Sequence, residues 1–540
     1  MKFLSLLTPF RCRLIFAALM ILNFCNSWHY LTHRCPIDLS GDEAQYWDWS
    51  RHLDLSYYSK GPMVAYIIRA SCFFLGETMP AVRLPALIFA VGTSICTYWL
   101  TRKLFGSDQL ALGAVLLGGI VPMYAAGGML MTIDPPMFFF WALGTCLLAK
   151  AIFDHRNWAW PAAGLAVGLG ALTKYGTLIW LPIVLLFLLI DKPSRATLKT
   201  VWPWIMTAIS LLCLTPPVIW NARHDWVSFH HVATQTSGGI GHGDFFSFLG
   251  AQILVVNPML AVLMAAAAWT TMRSIRQAEK AMPDAVSLPS KARSMLFLLV
   301  IGGSFFLVCL ADSIVAKVQV NWPAPAYFTL LILVAYFISA HWRKASGLFV
   351  GALIFGIAIQ PILHDLTLLY PLAGWLDRHH PLKPRDGTPQ HWVNRLDMEY
   401  KLRGMADPFA SDVARELAKL PANSFVLCEA YEDASELSFY LPNQPKTYFV
   451  GSYWTNPQVR RRWTQFDIWP DRALDRPELI GRDAIYVGRA TYPPLRQSFE
   501  AIVPLPDIVI TRDGVVLQKI PMWKCIGFKG ITRPAGPSLR

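Results

Sequence analysis

Residues 158–190 read WAWPAAGLAVGLGALTKYGTLIWLPIVLLFLLI, with the single charge of Lys174 near the middle. A helix that crosses a bilayer core needs about 20 apolar residues, within a range near 17–25. The stretch is therefore either one overlong helix or two short tilted ones hinged at Lys174. One helix would put the basic loops around Lys150 and Lys192 on opposite faces of a membrane. Two helices leave both loops on the same face, as expected where basic residues mark the cytoplasmic side. The hinged reading also brings Lys174 to the outer face.

The same pattern recurs along the first two thirds of the chain. Apolar runs lie at about 14–30, 82–101, 109–127, 135–153, 158–173, 175–190, 201–220, 250–271, 294–311, 322–340 and 347–366. The first lacks a small-residue cleavage site and reads as a retained anchor. Eleven spans with the N-terminus cytoplasmic place the end of the chain outside.

Composition agrees. Of 540 residues, 54% are hydrophobic and 15% charged, against about 25% charged in ordinary soluble chains. This excludes a disordered chain, a collagen-like chain and a wholly soluble enzyme. Charge is uneven: residues 373–540 hold 23 Lys/Arg and 19 Asp/Glu, whereas the longer segment 1–372 holds only 25 and 16. The step near Pro371 predicts an integral membrane domain over 1–372 and a soluble α/β domain over 373–540. In the latter, strands are expected at 424–428, 447–450, 483–488 and around 501–519, and helices at 409–420 and 431–440. Cys428 and Cys525 could pair if this domain faces an oxidising compartment. The ten cysteines show no CxxC or metal spacing.

The expected outer loops span about 31–81, 128–134, 174, 221–249 and 312–321. A loop of this first length is too long for mere connection. Within it, 62–76 (PMVAYIIRASCFFLG) is apolar yet too short to span, and reads as a helix lying in the interface. The polar residues of these loops fall at one face: Asp42 and Glu43, Lys60 and Arg69, Asp134, Lys174, Arg223, His224 and Asp225, Lys317 and Asn321. Ionisable groups at membrane depth are costly and mark function, although Asp42 and Asp134 could also serve as helix caps and Lys60, Arg69 and Lys317 as interfacial anchors. His230 and His231 could reach a metal, but an ordinary loop role fits them better. GGIGHG at 238–243 lacks the strand and the Lys-Ser/Thr ending of a phosphate loop.

Together, two carboxylates and several cations at a lipid boundary suit group transfer from a lipid-phosphate donor. An acceptor hydroxyl needs a base to take its proton. A departing phosphate needs fixed positive charge where negative charge develops. A multi-span transporter or lipid flippase would share the spans and charges, but usually shows internal repeats and charges at the bilayer midplane, neither of which is evident.

GDEAQYW after the first span, then YYSKGPMVAYIIR and RLPALIFAVGTSICTYWLTRKLFG, followed by TIDPPMFFFW, LTKYG, NARHDWVSFHH and NWPAPAY, resemble the bacterial dolichyl-phosphate-mannose-protein mannosyltransferase-like family. These are GT-C fold glycosyltransferases and include the aminoarabinose transferases of lipid A and related galacturonosyltransferases. The resemblance covers most of 36–345. It implies a polytopic α-helical membrane protein of the bacterial inner membrane with a C-terminal periplasmic α/β domain. It implies a polyprenyl-phosphate sugar donor, an inverting transfer on the periplasmic side and a lipid or glycan acceptor such as lipid A. Membrane lipids would be its surroundings, with a monomeric enzyme and no nucleic-acid partner. By motif, Asp42 takes the place of the essential first-loop aspartate with Glu43 beside it, and Asp134 that of the second-loop aspartate. Lys60, in SKGP where the family pattern carries a second proline, stands for the donor-phosphate lysine. Lys174, Arg223, His224 and Lys317 are further candidates for the donor phosphate. Some family members hold a divalent metal, and no ligand set here decides for or against one. The C-terminal domain would select the acceptor or cover the cleft.

Overall fold

The computed structural model of the chain describes residues 6–237, 243–281, 287–383, 391–397, 399–453, 463–488, 493–512 and 514–531. The GGIGHG stretch falls almost wholly outside them.

Local signals start and stop the first helices. Thr8 caps α1 (Pro9–His33). Ser40 and Glu43 form a reciprocal capping box on α2 (Gly41–Arg51), each satisfying a backbone N–H that the helix leaves open. The amphipathic α3 (Met63–Leu75) buries Val64, Ala65, Ile68 and Cys72, while Phe73 and Phe74 stay 73% and 79% exposed. Its 13 residues extend about 20 Å, short of a bilayer core of about 30 Å. Thr78 starts α4 (Met79–Phe105), and Gly106 ends it with a left-handed backbone (φ 68°).

Next come α5 (Asp108–Gly119), α6 (Pro122–Gly127), α7 (Asp134–Phe153), α8 (Ala159–Thr173), α9 (Trp180–Ile190), α10 (Lys192–Arg195), α11 (Trp202–Leu212), α12 (Thr215–Arg223) and α13 (Val227–Ser237). The expected hinge is present: Lys174 is extended and separates α8 from a 3-10 turn that leads into α9. The set is completed by α14 (Phe245–Val256), α15 (Pro258–Ala281), α16 (Ser290–Val315), α17 (Ala324–Ala340) and α18 (Trp342–His364).

Among the described residues, seven helices are long and apolar enough to cross a membrane: α1, α4, α7, α11 with α12, α15, α16 and α18. The segment carrying α9 makes an eighth with the turn after it, bent by 111°. The remaining expected runs form the shorter apolar helices α5, α8 and α17. One boundary differs from the sequence reading. The run at 250–271 is broken, because Asn257 adopts φ 97° and Pro258 begins a new helix. Its span therefore starts at 258, and α14 is a separate short helix before it.

The membrane core gathers α4, α7, α8, α9, α16 and α17. Small residues let backbones meet there. At Gly164 an added Cβ would lie 2.3 Å from the Met206 carbonyl oxygen, so α8 and α11 touch directly.

After α18 the chain passes through α19 (Tyr370–His379), α20 (Val393–Leu396) and α21 (Ser411–Leu417) into a sheet. Helix α19 crosses the compositional step at 372 and packs Tyr370 and Ala373 into the C-terminal core. The strands are β1 (Phe425–Cys428), β2 (Thr447–Phe449), β3 (Ala484–Val487), β4 (Phe499–Arg512) and β5 (Val515–Phe528), with α22 (Tyr431–Tyr440) between β1 and β2. Their order is β2-β1-β3-β5-β4. The first three are parallel, and β5 runs antiparallel to β3 and β4. Cys428 and Cys525 are both free and buried. They sit on β1 and β5 with β3 between, and two strand spacings of about 4.8 Å exceed the reach of a disulfide.

Candidate active site

A cavity of about 630 Å³ lies where the membrane helices, the first long loop and the C-terminal domain meet, within the usual size for a ligand site. Asp42, Lys60, Asp134 and Lys174 all line it.

Each arrives for a local reason. Asp42 stands exposed in the first turn of α2, where the helix dipole favours negative charge. Lys60 precedes Gly61, at which an added Cβ would sit 2.1 Å from the Leu172 carbonyl oxygen. That contact lays the SKGP turn against the end of α8, two residues before Lys174. Asp134 is the first residue of α7, ahead of Pro135 and Pro136, where missing N–H groups cost nothing.

The carboxylate of Asp134 is held on both oxygens. Lys174 Nζ donates to Oδ1 at 3.0 Å and Asn321 Nδ2 to Oδ2 at 2.5 Å. Lys174 also lies 5.9 Å over the Trp322 ring. Asp134 thus fixes an ammonium at the cavity wall.

Glu43 is set apart from the cavity. It and Arg83 are fully buried, with Arg83 Nε at 2.9 Å from Oε1 and Nη2 at 2.8 Å from Oε2. Glu43 also accepts from the Met131 and Ser40 N–H groups at 2.9 and 3.0 Å. Burial pushes its carboxyl up, but Arg83 and the backbone donors outweigh burial and hold it below the ordinary value. Arg83 further donates to the Ile37 and Asp38 carbonyls. One buried pair therefore ties the head of α4, the start of α2 beside Asp42 and the segment that leads to Asp134.

Three expected phosphate ligands are not brought to the cavity. The helical spacing that buries Trp220 and Asn221 leaves Arg223 exposed at the end of α12. His224 stacks on Trp220 at 4.0 Å, and its Nδ1 lies 2.8 Å from the Trp220 carbonyl. After α16 the buried Ala316 and Val318 flank Lys317 and turn it outward. Its neighbours Gln319, Asn321 and Trp322 reach the cavity instead.

The sequence reading passed over Tyr46, Asp312, Tyr431, Trp463 and Thr464, which also line the cavity. Tyr46 is the link. Burial drives its phenol well above the ordinary value, with Asp42, Asp134 and Tyr431 all close enough to add to the effect. Its O–H stays intact at neutral pH. His231 lines the cavity with its ring 4.8 Å from Tyr58.

Among the described residues no three His, Cys, Asp or Glu side chains gather as ligands, and Asp134 already spends both oxygens on Lys174 and Asn321.

The C-terminal domain is clamped onto α2. Arg472 Nη2 donates to Asp48 at 2.8 and 3.1 Å, both side chains being fully buried. Its Nη1 donates to the Thr447 carbonyl at 2.7 Å. The Tyr58 N–H donates to Gln465 Oε1 at 2.7 Å, and the Leu39 N–H to the Tyr440 hydroxyl at 2.7 Å.

Comparison with known proteins bears on the fold and the activity. The family model described as dolichyl-phosphate-mannose-protein mannosyltransferase matches residues 59–220. The lipid A galacturonosyltransferase RgtD of Rhizobium johnstonii is 27% identical over 70% of this chain and 74% of its own length. An undecaprenyl phosphate-alpha-4-amino-4-deoxy-L-arabinose arabinosyl transferase of Pectobacterium carotovorum is 22% identical over 65% of this chain and 66% of its own. The crystal structure of ArnT from Cupriavidus metallidurans bound to undecaprenyl phosphate superposes with a TM-score of 0.64 at 15% identity, covering 94% of this chain and 97% of that one; this last likeness speaks for the fold. The fold is that of the GT-C membrane glycosyltransferases. The chain is a glycosyltransferase similar to the lipid A galacturonosyltransferase and the arabinosyl transferases, a multi-pass bacterial inner-membrane enzyme and not a transporter.

Proposed function

We propose that the enzyme transfers a sugar from a polyprenyl-phosphate donor to lipid A or a similar envelope glycolipid on the periplasmic side. The observation that carries this is the presence of two cations, Lys60 and Lys174, and an exposed carboxylate, Asp42, in one cavity. RgtD is named for lipid A and the Pectobacterium relative for an undecaprenyl-phosphate sugar, which supports acceptor and donor respectively.

In this reading the donor phosphate rests against Lys60 and Lys174, the latter steadied by Asp134. The acceptor hydroxyl attacks the anomeric carbon from the opposite side and Asp42 orients it and takes its proton. The bond from that carbon to the phosphate oxygen breaks with its electron pair, leaving polyprenyl phosphate. The lysines stabilise the charge that develops on it, and attack opposite the leaving group inverts the configuration.

Deleting the gene and comparing the masses of envelope glycolipids tests the proposal. Loss of one sugar mass from lipid A is expected, and its value identifies the sugar. Unchanged glycolipid masses would overturn it.

A further inference from the structure

We infer that Asp312 reads the charge of the transferred sugar, accepting from an ammonium on its ring, so that the donor carries an amino sugar and a uronate is turned away. The inference rests on the reading just given and names the sugar class at that same site.

Helix α16 walls the cavity with Phe305, Val308, Cys309 and Asp312. That spacing puts the four side chains on one face of the helix. Asp312 is the only charge from Ser294 to Val315, and an ionisable group on an apolar membrane helix is costly and marks function. It is half-buried. Among the described residues no hydrogen bond or ion pair holds its carboxylate. An ionised carboxylate only accepts, so the partner it lacks is a donor brought by the ligand, and a cationic donor makes the strongest bond.

Asp312 stands beside the donor end of the cavity. Cys309, one turn earlier on the same face, packs in one cluster with Trp322, and Lys174 lies 5.9 Å over the Trp322 ring. The Cys309 thiol is within electrostatic reach of both Asp312 and Lys174. Lys174 already has its counter-charge in Asp134, at 3.0 Å, which leaves Asp312 to the ligand. With the donor phosphate against Lys174, the sugar joined to that phosphate lies on the side of Asp312. The described lining sets three carboxylates, Asp42, Asp134 and Asp312, against two lysines, Lys60 and Lys174. Once the phosphate has taken the lysines, a second anion on the sugar would meet Asp42 and Asp312, whereas an ammonium would be attracted by both.

Steady-state kinetics of the full-length enzyme in nanodiscs test this, with lipid A as acceptor. The donors are undecaprenyl phosphate carrying 4-amino-4-deoxy-L-arabinose, L-arabinose or galacturonic acid. The first two differ only in the amine. Wild type should favour the amino sugar over each of the others by at least about tenfold in kcat/KM, the worth of one charge-assisted hydrogen bond. Asp312→Asn should lower kcat/KM for the amino sugar about tenfold and leave that for L-arabinose within about twofold. Its binding of undecaprenyl phosphate, which has no sugar, should match wild type within about twofold. A second counter-charge for Lys174, or a purely structural role, would shift that binding or lower both arabinose donors equally, and either result would overturn the inference. So would a wild-type preference for L-arabinose or galacturonic acid. Transfer from none of the three would overturn the polyprenyl-phosphate reading itself.

Discussion

Asp42 and Asp134 share a cavity but not a chemical situation. Asp134 has both oxygens engaged by Lys174 and Asn321, so it acts on the donor through the lysine it holds. Asp42 stands exposed at the head of α2, where a proton can be accepted. Lys60→Ala should weaken donor use severely, since a buried charge-assisted contact to phosphate is worth about 2–3 kcal/mol. Binding of undecaprenyl phosphate measures this directly, and wild-type affinity in the variant would refute the clamp. Asn321→Ala should lower kcat by a smaller factor and leave acceptor KM unchanged, because it frees only one oxygen of Asp134. An unchanged kcat would remove Asn321 from the site. Lys174 and Asp134 were legible in the sequence as charges interrupting or opening apolar helices. Asn321 and Lys317 share one short segment, and only the burial of alternate side chains shows which of the two reaches the cavity.

At the scale of elements, buried ion pairs decide where the functional residues stand. Removing one partner of such a pair costs about 3–5 kcal/mol, whereas replacing both by apolar residues is often neutral. Arg472→Met should therefore destabilise the protein strongly in thermal melts, and the double variant Asp48→Leu/Arg472→Met should recover most of the loss. A double variant as unstable as the single one would show that the pair is not the clamp. Arg83 does the same for Asp42 and the approach to Asp134 from inside the fold. A lone arginine at the head of an apolar helix, in RLPALIF, was the available signal for it, but its partner Glu43 read as catalytic because it adjoins Asp42. A second cluster joins the end of α18 to the C-terminal domain: Arg403 lies 3.5 Å from Asp365, 3.0 Å from Asp397 and 3.9 Å from Glu399. Burial pushes the Glu399 carboxyl up from 4.5 to about 7, against the pull of Arg403 and with Asp397 adding to the rise. Between those values the folded protein holds a proton that the unfolded chain has released, so stability falls as pH rises through this window. Glu399→Gln should flatten the dependence of melting temperature on pH there, and an unaltered slope would place its origin elsewhere.

Across the whole molecule, the eleven apolar runs, the hinge at Lys174 and the strands of the C-terminal sheet were all readable from hydropathy, charge and β-rich composition. The break at Asn257 was not, because the residues on both sides are equally apolar and only the backbone turn at φ 97° separates them. The joining of the two domains was not readable either. Asp48 and Arg472 lie more than 400 residues apart, and no local pattern announces their contact. That joining makes one cavity from two domains. Turnover by purified full-length Asp42→Asn in nanodiscs, with an undecaprenyl-phosphate sugar donor and lipid A, tests the central claim most directly. The expected result is a loss of at least about 100-fold in transfer with undecaprenyl phosphate binding and melting temperature unchanged; turnover at the wild-type rate would contradict it.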